Sequence, residues 1–125
     1  MNVLSIDYGD VRIGLAHSSI DHKIALPLKV IKNNQALWNE LEQVIREYEI
    51  DHILVGLPLN FKSTDTQQTL KVRKFIQELK SKFPITVEEY DERLTSSLAK
   101  RYIPKGKSID IESARILLEE WLDKR

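Results

Sequence analysis

Residues 3–16 read Val3-Leu4-Ser5-Ile6-Asp7-Tyr8-Gly9-Asp10-Val11-Arg12-Ile13-Gly14-Leu15-Ala16. The apolar run before Asp7 predicts a buried strand, and Arg12 to His17 predicts a second one so close behind that the two form an antiparallel hairpin. A carboxylate where a buried strand ends is costly unless it is paired, hydrated or bound to a metal. Gly9 removes a side chain just past the acid, so a phosphate or another stretch of backbone can come close. Arg12 then stands ready to contact an anion. Taken alone, the segment equally fits an ordinary hairpin with a solvated Asp near its turn.

The rest of the chain extends this start into an α/β pattern. A third strand is expected over residues 25–31, and Gly14 within the second suggests a close neighbour. Leu37, Leu41, Val44, Ile45 and Tyr48 recur at three and four residues, which predicts an amphipathic helix over 35–49. His52 to Leu57 is continuously apolar, as a central strand buried on both faces would be. Pro58-Leu59-Asn60 opens a loop, and Thr64 or Asp65 is placed to cap a helix carrying Val72, Phe75, Ile76 and Leu79. A fifth strand runs from Ile85 to about Asp91-Glu92. A short helix over 96–102, a Pro104-Lys105-Gly106-Lys107 loop and a last helix through Leu117 and Trp121 complete the order βββαβαβαα. That order implies one domain over residues 1–125, a mixed five-stranded sheet with helices on both faces.

Composition excludes several classes. The chain has 125 residues, 42% hydrophobic and 30% charged, which suits a globular domain rather than a disordered one. Nineteen basic residues balance nineteen acidic ones, so global charge does not announce a nucleic-acid binder. Between Arg93 and Lys107, however, five basic residues stand without an acid, and a local patch of this kind can hold phosphate. Without cysteine there is neither a disulfide framework nor a thiolate metal site. No signal peptide or bilayer-length apolar run is visible, so a cytoplasmic protein without membrane contact is expected.

Four acids are candidates for shared chemistry. Asp7 ends the first strand, Asp91 and Glu92 end the fifth, and Asp110 opens the last helix. Carboxylates gathered at one sheet edge repel one another unless a cation is shared, and Mg²⁺, a hard ion that prefers oxygen ligands, suits them. Two such ions activate water and stabilise the leaving oxygen of a phosphodiester. Each acid also has a plainer reading: Asp110 as a helix cap, Asp91-Glu92-Arg93 as a solvated strand end with a local ion pair. Glu88, Glu89, Glu119 and Glu120 read as wet surface. His17, His22 and His52 lack metal-ligand spacing, and Trp38 and Trp121 read as core.

With these residues placed, the chain resembles the YqgF/RuvX family of RNase H-fold nucleases nearly end to end. The likeness is carried by Ile6-Asp7-Tyr8-Gly9-x-x-Arg12-Ile13-Gly14-Leu15-Ala16, Val55-Gly56-Leu57-Pro58-Leu59-Asn60, Asp91-Glu92-Arg93-Leu94-Thr95-Ser96, and Lys105-Gly106-Lys107 leading to Asp110. The resemblance implies an RNase H-like fold and nucleic-acid cleavage dependent on Mg²⁺ or Mn²⁺. Its implied role is 5′-end trimming of precursor 16S ribosomal RNA, within ribosomal precursor particles; the older alternative is resolution of branched DNA at Holliday junctions. Asp7, Glu92 and Asp110 would be the catalytic, metal-binding acids, with Asp91 not separable from Glu92. Arg12, Asn60, Arg93, Thr95, Lys105 and Lys107 would contact nucleic acid. Where the family often carries Thr and a basic residue, this chain has Asp10-Val11.

Three other readings compete. A junction resolvase needs two sites in a two-fold dimer, and the sequence marks no dimer face, so a monomer or weak homodimer is expected. An actin-like ATPase also uses an Asp-x-Gly hairpin, but needs two lobes and no acid beside the γ-phosphate. A non-catalytic RNA-binding assembly module would have little use for the intact set of acids.

Overall fold

The N-terminal hairpin seeds the whole sheet. In the computed structural model β1 (Asn2–Tyr8) pairs antiparallel with β2 (Arg12–Ser19), and β2 pairs antiparallel with β3 (Leu26–Lys32). The structure describes residues 1–19, 21, 24–58, 66–91 and 109–124, with side chains of the last segment from Glu112 onward. After α1 (Leu37–Glu47), β4 (His52–Leu57) joins β1 in parallel; after α2 (Gln67–Lys82), β5 (Thr86–Asp91) joins β4 in parallel. The sheet order is β3-β2-β1-β4-β5, and α3 (Ile109–Asp123) closes the described chain. The short helix expected over 96–102 lies outside the described residues.

Helices cover both faces, as expected. One face carries Leu4, Ile6, Ile53 and Val55 against Leu41 of α1 and Phe75, Ile76 and Leu79 of α2. The other carries Val3, Ala16 and Leu54 against Ala114, Leu117, Leu118 and Trp121 of α3. Every residue of β4 is buried, which explains its unbroken apolar run. Pro27 sits in β3, an edge strand where its missing N–H breaks no ladder on the open side. Trp38 and Trp121 are both core-packed.

Two local details depart from the sequence reading. The cap of α2 is Thr66, rather than Thr64 or Asp65: its hydroxyl accepts from the Thr69 N–H at 3.1 Å while the Thr69 hydroxyl accepts from the Thr66 N–H at 3.0 Å. This is a reciprocal capping box with Thr, not Glu or Gln, at its third position. The fully buried Thr69 also donates to the Pro58 carbonyl, tying the exit of β4 to the start of α2.

The second departure is Glu88, which is more than wet surface. It accepts the Trp121 indole N–H at 2.8 Å and lies 3.1 Å from His52 Nε2, while the His52 and Trp121 rings pack tilted at 5.2 Å. The trio pins the C-terminal part of α3 to the beginning of β4. Glu88→Ala, which removes the acceptor of that indole bond, should cost about 1–2 kcal/mol in urea unfolding. Glu88→Gln, which keeps an acceptor, should cost less than half of that.

Candidate functional site

Strand register decides what stands beside Asp7. Side chains alternate between faces, and residues paired across a ladder share one. Asp7 pairs with Gly14 of β2; on its other side β1 continues in register with β4, where Ile6 pairs with Val55 and the next level is Gly56, itself paired with Tyr90 of β5. Half-buried Asp7 therefore lies level with a glycine on each adjacent strand, Gly14 of β2 and Gly56 of β4. Across Gly56, two strand spacings or about 9–10 Å away, Tyr90 occupies the same face. This flanking pair was not foreseen; only the suggestion of a close neighbour at Gly14 pointed toward it.

The last helix reaches the same level. Buried Ser5 donates its hydroxyl to the Ala114 carbonyl at 2.9 Å, and Trp121, seven residues on, packs against His52, which pairs with Val3. α3 thus runs antiparallel to β1, its first turn directed toward the end where Asp7 lies. Position 110 is one turn before Ala114, about 6 Å along the helix. Asp7 is two residues beyond Ser5, about 6.6 Å along the strand. The backbone at Asp110 and at Asp7 is therefore level.

The same alternation separates Asp91 from Asp7. Asp91 pairs with Leu57 and shares its face with Tyr8, Val87 and Glu89, the side covered by α1 and α2. Arg12, in phase with Gly14 and Ala16, lies on the Asp7 face at the exposed start of β2. Asn60, Glu92, Arg93, Thr95, Lys105 and Lys107 lie outside the described residues, as does the Asp110 side chain. Among the described residues no three Asp, Glu or His side chains gather into a metal-sized cluster.

The loop beside Asp7 is tightly built. The glycine at position 9 admits a close backbone neighbour: a β-carbon there would collide with the Arg12 carbonyl oxygen. Asn33, at the exit of β3, donates its side-chain amide to the Gly9 carbonyl at 2.9 Å and its backbone N–H to the Val11 carbonyl at 2.9 Å. Asp10, on the outside of the loop, receives the Lys71 ammonium of α2 at 3.3 Å. Neither Asn33 nor Lys71 carried a sequence signal, because both contacts join distant segments.

Comparison with known proteins places this geometry in a family. The family described as "RuvX: Holliday junction resolvase" matches residues 1–124. The chain belongs to the RuvX family. A relative from Maridesulfovibrio salexigens, named "Putative pre-16S rRNA nuclease", is 36% identical over 98% of both chains. One of the same name from Thermoanaerobacter pseudethanolicus is 35% identical over 100% of this chain and 98% of its own. Among solved structures, Thermus thermophilus RuvC in complex with a Holliday junction substrate superposes with a TM-score of 0.67 at 13% identity, over 100% of this chain and 95% of that one. The likeness to RuvC shows a shared RNase H-like fold. Membership of RuvX makes the chain a nuclease-family protein. Among the described residues no helix is long and apolar enough to cross a membrane.

Proposed function

We propose that this RuvX protein is a cytoplasmic, divalent-metal-dependent nuclease, acting as one domain, that trims the 5′ end of precursor 16S ribosomal RNA in ribosomal precursor particles. One observation carries the reading: Asp7 ends the central strand between two side-chain-free positions, level with the first turn of α3. Hard carboxylate oxygens in a cysteine-free chain fit Mg²⁺ or Mn²⁺. Asp7, Glu92 and Asp110 would hold it. Asp91 is left out of the set because its register gives it the opposite face. When bound, the metal supplies Lewis-acid charge that favours attack by water and stabilises the leaving oxygen.

The chain's own part is to bind and orient. Asp7 is held on a strand paired on both sides as far as Ile6 and to Gly14 of β2 at its own level, so its backbone needs little reorganisation as charge develops at the phosphate. Gly14 and Gly56 leave lateral room for a sugar-phosphate backbone to approach. Arg12 is on that face to neutralise a non-reacting phosphate, with Arg93, Lys105 and Lys107 gripping neighbouring ones and Asn60 and Thr95 giving polar contacts.

The test is incubation of the protein with precursor and mature 16S ribosomal RNA in Mg²⁺, in Mn²⁺ and in EDTA. Shortening of the precursor's 5′ end in metal, none in EDTA and none on mature RNA is the expected result. RNA binding with no cleavage under any condition would overturn it. The family description favours a second reading, cleavage of a four-way DNA junction, which requires a two-fold dimer. Paired symmetric nicks in a synthetic junction by a dimeric protein would establish that instead.

A further inference from the structure

Behind the loop that carries Asp10, on the face opposite Asp7, α1 and α2 border a groove that the proposed site does not use. Trp38 divides it into two cavities of about 320 and 570 Å³. The first is lined by Tyr8, Asn34, Trp38, Lys71 and Lys74, with Glu78 at its far end; the second by Lys82 and Phe83 among others. Lys71, Lys74, Glu78 and Lys82 follow one another at three and four residues, a single stripe along α2. With Arg46 and Glu42 of the second cavity included, four cationic side chains and two carboxylates line the groove, in a chain whose overall charge is zero. Half-buried Tyr8 and Trp38 make the floor, backed by buried Phe75: Tyr8 packs on Phe75 at 4.5 Å, Trp38 on Phe75 at 5.5 Å, and Lys82 lies 5.0 Å above the Trp38 ring.

The geometry points to a track for single-stranded RNA, holding the strand that flanks the cleavage point. A basic groove with an aromatic floor is the recurring form of sequence-tolerant single-strand binding. The stripe from Lys71 to Lys82 spans about 16 Å, enough to follow several phosphates rather than one. The groove also starts at the right place. Lys71 touches Asp10 on the loop between Asp7 and Arg12, so a strand leaving the Asp7 face over that loop meets Lys71 first. Holding the flank away from the carboxylates keeps substrate in register without adding positive charge beside them. This inference rests on the nuclease reading for the choice of RNA, and its test is separate from cleavage.

The probe is a fluorescent single-stranded RNA of roughly twelve nucleotides, titrated with full-length protein in EDTA so that only binding is read. The variant K71Q/K74Q removes two exposed charges at equal helix propensity. It should bind about tenfold more weakly, with a log affinity against log salt slope shallower by about 1.4, two phosphates at roughly 0.7 each. Lys80→Gln, half a turn away on the other side of α2, should stay within about twofold of wild type. Trp38 divides the two cavities, so saturating RNA should change wild-type tryptophan emission and leave Trp38→Phe largely unaffected. Unchanged affinity and slope in K71Q/K74Q, equal losses in Lys80→Gln, or no RNA binding by wild type in EDTA would each overturn the track. An Asp7→Asn protein that still cleaves would instead overturn the nuclease site and leave these binding results standing.

Discussion

Asp7→Asn is expected to lower cleavage of precursor 16S ribosomal RNA by at least about a thousandfold, some 4 kcal/mol of transition-state stabilisation. The substitution keeps size and shape while removing the charge that would hold a divalent cation. Binding of Mn²⁺, followed by calorimetry, should fall in parallel. Folding should survive, because the position is at the end of β1, outside the two hydrophobic clusters, and half-exposed. Thermal melting within a few degrees of wild type, with turnover lost, is therefore the expected pair of results. Full turnover in a contamination-free Asp7→Asn preparation would remove this carboxylate from the mechanism, and with it the reason for reading the glycine-flanked strand end as a reaction site.

Periodicity and turn chemistry made most of the architecture legible. The strands around Asp7 and the helix through Leu41 and Val44 were readable because each follows from neighbours within a few residues. What escaped was non-local. Glu88 looks solvated in sequence because it follows Val87 among acids; its role appears only once β5 is registered against β4 and Trp121 comes down beside it. Gly14 and Gly56 are 42 residues apart in number and become a pair only through Asp7, which lies between them. Asn33 and Lys71 reach the β1–β2 loop from β3 and α2, and no local pattern encodes that reach. Thr66 was missed for a different reason, since a box closed by Thr69 lacks the acidic or amide residue that usually marks one.

The register also sharpens the choice between two adjacent acids. Glu92→Gln should reduce cleavage by about a thousandfold or more, whereas Asp91→Asn should stay within about tenfold of wild type. The reasoning is one of phase. Tyr90 shares the Asp7 face and Asp91 the face of Leu57 and Tyr8, and the prediction is that of a two-residue alternation carried one step past Asp91, which would return to the Asp7 side. With Asp91 on the α1–α2 side of the sheet and Asp7 on the α3 side, a shared ion is not expected of this pair. Asp91→Asn should act, if at all, through local stability near Leu57, visible as a shift in urea midpoint with Mn²⁺ affinity unchanged. Glu92→Gln should do the reverse, losing Mn²⁺ affinity at constant midpoint. The opposite pattern would mean that the alternation breaks at the end of β5, and would move the second metal-binding acid to Asp91.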